Sequence, residues 1–108
     1  MNIINMDPAS HDQHISYVSH LSHITSFILA KTVIQKEKNE KNIFDLAGSG
    51  FESTVRLAKS SSEMWTPIFL QNKDNILEAL NGYINNLQEL KKLIIKNDKK
   101  SIINDLNN

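Results

Sequence analysis

The residue with the most specific chemistry is Arg56, the only arginine in a chain that otherwise uses eleven lysines for positive charge. A guanidinium is a planar fork that can hold a carboxylate through two parallel hydrogen bonds, whereas an ammonium acts as a point charge. Arg56 follows a close pair of glycines near a predicted helix start, where anions are favoured. With a nearby histidine, it indicates recognition of a small carboxylic acid. A surface residue or a structural salt bridge is the alternative.

Four histidines lie on the first predicted helix and raise the possibility of a metal site. At about 100° per residue, His11 and His14 fall on one side of a regular helix, and His20 and His23 fall on the other. Each pair has chelating spacing, but no carboxylate is placed to complete a ligand set. We therefore predict no metal and expect either a role in a substrate cleft or local hydrogen bonds at the helix surface.

Two further features carry weaker signals. The turn Gly48-Ser49-Gly50 lacks the third glycine and the preceding strand of a dinucleotide fingerprint, so we predict a bend that exposes backbone N–H groups and no nucleotide site. Trp65 is the only tryptophan, and its apolar neighbours favour a core or subunit-interface position over ligand contact. These residues alone do not name a reaction.

Helical periodicity accounts for the elements that must position these residues. Asp7-Pro8 reads as a helix start, and apolar residues at steps of three and four continue to Ile34, before a polar run from Gln35 to Asn42. We predict a second helix over Phe51–Lys59. A third helix should begin at Ser61 or Ser62 and carry Pro67 within about its first turn.

The last long segment has the clearest pattern, an apolar seam with spacings of four, three, four, three and four that predicts a helix packing within a bundle. The seam consists of Ile76, Leu80, Tyr83, Leu87, Leu90 and Ile94. Further apolar residues from Ile102 to Leu106 predict a short terminal helix. Because no alternating strand pattern occurs, we predict an all-α helical bundle that forms one domain over residues 1–108.

Bulk composition excludes several classes of protein. The formal net charge is zero and no basic cluster occurs, which argues against nucleic-acid binding. There are no cysteines, so disulfides and thiol nucleophiles are excluded. No apolar run approaches the ~20 residues that span a membrane, and the start does not read as a signal peptide. We predict a soluble, cytoplasmic protein.

Three segments together resemble the C-terminal domain of prephenate dehydrogenases. His11-Asp12 followed by Ser19–His23 is similar to the family's HD…SHLPH helix. Ala47–Ala58, which reads AGSGFESTVRLA, is similar to GGGFxDxTRIA, and Ser60–Asn72, which reads SSSEMWTPIFLQN, is similar to SDPxMWxDIFLxN. The order and spacing agree, and the similarity runs from about residue 7 to beyond residue 97.

The resemblance implies an intertwined homodimer and a parent enzyme that oxidises prephenate, or arogenate in some members, with NAD or NADP. Carbon dioxide is lost and 4-hydroxyphenylpyruvate forms on the way to tyrosine. In the family an N-terminal Rossmann domain binds the cofactor and supplies the catalytic histidine. We therefore expect these 108 residues to contain no catalytic residue, to bind no cofactor and to be inactive alone.

The resemblance also assigns roles to individual residues. Arg56 matches the arginine that binds a substrate carboxylate, His23 a histidine lining the substrate site, and His20 a neighbouring histidine with a possible structural role. Trp65 and the Ser49-Gly50 backbone match elements that reach the pocket from the partner subunit.

Three positions depart from the family pattern. Ser22 replaces the motif proline and should leave a straighter helix. Ser53 replaces an aspartate that would be an ion-pair partner of Arg56, and Glu52 could substitute only if the local geometry rotates. Val55 stands where the family has threonine.

A stand-alone regulatory module is the alternative function. Such a module would bind tyrosine or a related aromatic acid through Arg56 and His23. A histidine-based metal protein is a third hypothesis.

Overall fold

A computed structural model describes residues 7–37 and 51–107. Within these ranges the chain is helical and contains no strand, which confirms the all-α prediction. The α-helices are α1 (Pro8–Ile15), α2 (Leu21–Glu37), α3 (Ser62–Gln71), α4 (Lys73–Ile95) and α5 (Lys99–Leu106). The chain divides into two compact units, residues 1–76 and residues 77–108.

The start of α1 follows the prediction. The Asp7 carboxylate accepts hydrogen bonds from the Ser10 backbone N–H at 2.9 Å and from the Ser10 hydroxyl at 3.2 Å, and Pro8 occupies the first turn. Both bonds lower the pKa of Asp7 because they stabilise its ionised form, and the bond from the backbone N–H has the larger effect. The carboxylate thus caps N–H groups that have no partner within the helix.

The first helix is not regular along its length. A π-helical segment, Ser16–His20, separates α1 from α2, and α2 extends to Glu37, within the polar run where the prediction ends it. Ser16 is fully buried, and its hydroxyl donates to the Gln13 carbonyl at 2.6 Å. Because a π turn changes the rotation per residue, the opposite placement of the two histidine pairs derived for a regular α-helix does not carry across it.

The predicted helix over Phe51–Lys59 is wrong in its second half. Residues 51–54 are helical, Val55 is in a turn, and Arg56–Lys59 form a 3₁₀ helix packed against α2. The Ser26 hydroxyl of α2 donates to the Thr54 carbonyl at 2.8 Å. The Ala58 N–H, which would bond that carbonyl in an α-helix, instead bonds the Val55 carbonyl at 2.9 Å. A tertiary hydrogen bond therefore accompanies the change of helix type.

The start of α3 confirms one prediction and corrects another. The Ser61 hydroxyl accepts from the Met64 backbone N–H at 3.2 Å and caps the helix as expected. Pro67 is not in the first turn, because it is the sixth residue of α3 and lies inside the helix. The missing N–H leaves the Glu63 carbonyl without its helical donor. Glu63 is exposed, so water can supply that hydrogen bond.

The two C-terminal helices appear as predicted and are separated by a tight turn. The Asp98 N–H bonds the Leu93 carbonyl and the Asn97 N–H bonds the Ile94 carbonyl, both at 3.1 Å, which is the Schellman pattern. Asn97 adopts a φ of 55°, in the left-handed region. Asp98 caps α5 by accepting from the Ser101 N–H at 3.1 Å and the Ser101 hydroxyl at 2.7 Å.

The apolar seam of α4 is only partly covered in the single chain. Ile76 is 6% exposed, but Tyr83 is 38%, Leu87 49% and Ile94 55% exposed. Other apolar side chains of these two helices are also exposed, namely Leu77, Ile84, Ile95, Ile103 and Leu106. The described part of the chain thus leaves much of the predicted seam without a packing partner, which the bundle prediction did not anticipate.

Candidate functional site

Four aromatic side chains from the first unit form the His–Trp cluster, which consists of His20, His23, Trp65 and Phe69. Residues His20 and His23 lie where the π-helical segment passes into α2, and Trp65 and Phe69 lie one turn apart on α3. The His20 ring meets Trp65 and Phe69 edge-on, with centroid distances of 6.3 Å to each. The Trp65 and Phe69 centroids are 5.7 Å apart. Two residues predicted for the site from sequence, His20 and His23, are therefore brought together with a third, Trp65, within one chain, whereas the resemblance implied that Trp65 reaches the pocket from the partner subunit.

His23 stacks on the indole of Trp65. The ring centroids are 3.6 Å apart and the planes are inclined by 25°. The His23 Nδ1 lies 2.9 Å from the Ser19 carbonyl oxygen. A carbonyl oxygen can only accept, so Nδ1 carries the proton and Nε2 keeps a lone pair. Both the stack and the hydrogen bond restrict the rotation of this imidazole.

His20 is more deeply enclosed, with 7% of its surface exposed. Its Nδ1 lies 3.3 Å from the Asn72 side-chain nitrogen, and that nitrogen also donates to the Asp12 carbonyl at 2.8 Å. Burial lowers the pKa of His20, the nearby His23 acts in the same direction, and the Asp12 carboxylate opposes both. His20 is therefore biased towards its neutral form at neutral pH.

A groove with an apolar wall adjoins the cluster between α2 and α3. Its volume is about 480 Å³, and among the described residues Lys31 is the one charged side chain that lines it. The lining residues are Ile24, Phe27, Ile28, Lys31, Ser62, Trp65, Thr66 and Phe69. An aromatic wall with a single cation suits a small aromatic acid better than an uncharged apolar molecule.

Arg56 lies at the start of the 3₁₀ helix, and its side chain is exposed. The preceding residue, Val55, is 8% exposed and anchors this segment. Glu52 does not pair with Arg56, because its carboxylate lies 3.7 Å from the Lys59 ammonium. Within residues 7–37 and 51–107 no acid lies within ion-pair distance of the Arg56 guanidinium. The guanidinium thus keeps its hydrogen-bonding capacity on a segment that packs against the histidine-bearing α2.

The other residues considered from the sequence are not part of the His–Trp cluster. His11 and His14 are exposed, and His14 bonds the Ser10 carbonyl at 2.8 Å. Ser49 and Gly50 lie outside the described residues.

Among the described residues, no group of three or more histidine, cysteine, aspartate or glutamate side chains is arranged to hold a metal ion. In that same part of the chain, no helix has the length and apolarity needed to cross a membrane.

Sequence reasoning missed two residues of this site. Asn72, which bonds His20, and Phe69, which closes the aromatic cluster, were assigned no role. Both lie in the segment Ser60–Asn72 that carries the third motif, so their place in that motif was the available signal. Asn72 could not be paired with a residue 52 positions earlier from spacing alone.

Comparison with known proteins identifies the family to which the chain belongs. The family description "Prephenate dehydrogenase, dimerization domain" matches residues 7–108. This chain is a member of that family. The match covers nearly the whole chain, and the resemblance inferred from the three motifs is confirmed.

Individual relatives agree with this assignment. The chain is 29% identical to prephenate dehydrogenase of Bacillus subtilis over 105 residues, which are 94% of this chain and 27% of that enzyme. It is 31% identical to the enzyme of Lactococcus lactis, covering 92% and 28%. It is 30% identical to cyclohexadienyl dehydrogenase of Zymomonas mobilis, covering 88% and 33%. The chain therefore spans about a third or less of these relatives.

Solved structures show the same fold. Prephenate dehydrogenase of Aquifex aeolicus in complex with hydroxyphenyl propionate and NAD⁺ superposes with a TM-score of 0.85 at 36% identity, covering 95% of this chain and 36% of that one. Synechocystis arogenate dehydrogenase superposes with a TM-score of 0.87 at 27% identity, covering 96% and 38%. The helical arrangement is thus that of the dimerization domain in these dehydrogenases.

Proposed function

We propose that this chain is the dimerisation and substrate-pocket domain of a dehydrogenase that oxidatively decarboxylates prephenate, or arogenate, in tyrosine biosynthesis. The observation that carries the proposal is the agreement with the Aquifex enzyme, which was crystallised with hydroxyphenyl propionate and NAD⁺. The whole of residues 1–108 acts as one helical domain in this proposal. The nicotinamide cofactor, NAD or NADP, accepts the hydride and is bound by a separate domain of the parent enzyme.

In this proposal the chain contributes substrate binding and no catalytic group. Arg56 holds a substrate carboxylate, since its guanidinium is exposed and unpaired among the described acids. His23 and His20 line the site, and Trp65 fixes the His23 ring by stacking. By family resemblance, the Ser49-Gly50 backbone contributes to the substrate pocket from the partner subunit.

The second part of the proposal is a homodimer. A seam with Leu87 about half exposed and Ile94 more than half exposed is unusual for a helix that works alone. A second copy of the chain would cover these side chains and remove them from water. Light scattering of the purified chain at micromolar concentration is expected to give twice the mass of one chain. A strictly monomeric species would contradict this part.

A chimera tests the catalytic part. Residues 7–108 replace the corresponding domain of the Bacillus subtilis enzyme, and NAD⁺ reduction is measured with prephenate. We expect activity, and we expect Arg56→Ala to lower kcat/KM by about 10- to 150-fold, because charged hydrogen bonds contribute roughly 1.5–3 kcal/mol.

The matched control is Lys59→Ala, which removes a cation from the same 3₁₀ helix and should change kcat/KM less than about twofold. Equal losses in the two variants would show a general effect of charge and would count against the assigned role of Arg56. A folded chimera without activity would contradict the proposed function as a whole.

The groove favours a second candidate function, a module that binds tyrosine or a related aromatic acid. Its aromatic wall and Lys31 match such a ligand. In this candidate function Arg56 and His23 are further contacts, although neither residue lines the groove. Calorimetry of the chain with tyrosine, prephenate and 4-hydroxyphenylpyruvate tests it. Binding by the chain alone, lost in Arg56→Ala, would support this candidate, and no detectable heat would leave the dehydrogenase domain as the better account.

A further inference from the structure

Asn72 lies between α3 and α4, and its side-chain amide makes three contacts within the first unit. The amide nitrogen donates to the Asp12 carbonyl at 2.8 Å and lies 3.3 Å from the His20 Nδ1. The amide oxygen accepts from the Asn75 side chain at 2.9 Å. The Asp12 carbonyl can only accept, so the NH₂ end of Asn72 must face both Asp12 and His20.

This orientation fixes the protonation of His20. The Asn72 NH₂ group has two hydrogens, of which one is directed to the Asp12 carbonyl and the other to the imidazole. A nitrogen that faces a donor must offer a lone pair. Nδ1 of His20 is therefore unprotonated in the neutral ring, and Nε2 carries the hydrogen.

The Nε2–H of His20 is left for another partner. This group makes no hydrogen bond within the described part of the chain. In the same part of the chain, every fully buried side-chain nitrogen or oxygen has a hydrogen-bond partner. Nε2 is therefore not fully buried, although His20 as a whole is only 7% exposed. The enclosed ring thus offers one donor atom outward.

The neighbouring histidine is fixed in the opposite way. In His23 the Ser19 carbonyl selects the Nδ1–H form, so its Nε2 is an acceptor. Two histidines three positions apart are consequently set as opposite tautomers, one by a side-chain amide and one by a backbone carbonyl. This difference supplies an internal reference for an experiment.

We propose that Asn72 is a positioning residue that holds His20 in the neutral Nε2–H form, so that His20 donates a hydrogen bond to an acceptor oxygen of a small acid. The tautomer rests on the contacts described above, and only the identity of the acceptor rests on the proposed function. The acceptor belongs to the class of carboxylate, carbonyl or hydroxyl oxygens.

Nitrogen-15 NMR of the histidine-labelled full chain at pH 7.5 tests the tautomer directly. Couplings between ring nitrogens and ring carbon-bound protons identify which nitrogen carries hydrogen. We expect Nε2–H for His20 and Nδ1–H for His23 in the same spectrum. Protonation of His20 at Nδ1 in the unaltered chain would overturn the proposal, whatever the variants do.

Asn72→Asp is the informative variant, because a carboxylate accepts where the amide donates. It should switch His20 to Nδ1–H and raise its pKa, in addition to the effects of Asp12 and His23, and leave His23 unchanged. Asn85→Asp makes the same chemical change on an exposed face of α4 and should leave all four histidines unaltered. An unswitched His20 in a folded Asn72→Asp chain would contradict the proposal. If that variant does not fold, Asn72→Ala should give a mixture of tautomers.

The donor role is tested in the chimera with prephenate. Asn72→Asp should raise KM by about tenfold or more with a smaller change in kcat, since a hydrogen bond to a charged group is worth roughly 1.5–3 kcal/mol. An unchanged KM with a switched tautomer would overturn the donor role. A chimera that is inactive with Asn72 in place would refute the proposed function, while the NMR result would still decide the tautomer.

Discussion

The two units of this chain differ in the interactions that their side chains make. In the first unit the buried residues include Ser16, His20 and Ser26, each of which makes a directed hydrogen bond to another group. In the second unit the side-chain hydrogen bonds of the described residues are those of the Asp98–Ser101 cap. Large apolar groups are exposed in both units, and in the second unit they lie along α4 and α5. Hydrogen bonds are directional and fix orientation, whereas apolar burial is not directional and favours any complementary surface.

This contrast fits different functions of the two units, ligand recognition in the first and dimerisation in the second. A site that recognises a small acid needs donors and acceptors in fixed positions, and the first unit supplies them through His20, His23 and Asn72. A dimer interface needs apolar area, and the second unit supplies that. The predictions that follow challenge this contrast, beginning with the largest expected effect.

The largest effect is expected from Leu87→Glu in the second unit. A carboxylate buried in the proposed dimer interface without a partner should weaken association by roughly 3 kcal/mol or more, which is over a hundredfold in Kd. Sedimentation analysis should then show monomer at concentrations where the unaltered chain is dimeric. The control, Asn85→Glu, lies off the apolar seam and should remain dimeric.

The same pair of variants tests the contrast itself. Trp65 is the only tryptophan, and its fluorescence reports the stack with His23 in the first unit. We expect the fluorescence to be the same in Leu87→Glu and in the control. A large change in Leu87→Glu alone would show that the two regions depend on each other.

The second prediction compares apolar truncations in the two units. Ile76→Ala removes a side chain that is 6% exposed and should lower the free energy of unfolding by roughly 2–4 kcal/mol. Ile95→Ala removes one that is 69% exposed and should cost less than about 0.5 kcal/mol when the chain is monomeric. Urea unfolding in the Leu87→Glu background gives both values. Equal costs would remove the distinction between a packed and an unpartnered apolar face.

The sequence was sufficient for elements with strong local signals. The cap by Asp7, the cap by Ser61 and the helix α4 each depend on residues within a few positions of one another, and each was predicted correctly. The same is true of the terminal helix α5. Local spacing determines such features because their hydrogen bonds and faces are local.

Apart from the position of Pro67 within α3, the errors lie where distant residues determine the conformation. The 3₁₀ helix after Val55 accompanies a hydrogen bond from Ser26, 28 positions away from its acceptor Thr54. The contact of Asn72 with His20 spans 52 positions. No periodicity encodes such pairs. Family resemblance therefore named His20, His23 and Trp65, which the structure brings together, but their hydrogen bonds and tautomers required coordinates.

The third prediction concerns pH. The pKa of His20 is lowered on folding from its ordinary value of 6.5, chiefly by burial, so around that pH the unfolded chain binds more protons than the folded chain. Stability should therefore be fully present above pH 6.5 and fall as the pH drops towards the folded pKa. Tm measured between pH 8 and 5 should decline less in His20→Gln. His14→Gln removes an exposed histidine and should keep the decline of the unaltered chain.

The smallest effect is expected at the turn between α4 and α5. Asn97 has a φ of 55°, a conformation that glycine adopts without the steric cost of a Cβ atom. Asn97→Gly should raise the free energy of unfolding by about 0.5 kcal/mol, because relief of the left-handed strain exceeds the added entropy of the unfolded chain. Asn81→Gly, inside α4, should instead lower it by about 0.3 kcal/mol, because glycine is a poorer helix former than asparagine. Thermal unfolding of the two variants measures the difference. A loss of stability in Asn97→Gly would mean that the asparagine side chain itself stabilises the turn, as the Asp98 side chain stabilises the start of α5, and directed polar contacts would then matter in the second unit as they do in the first.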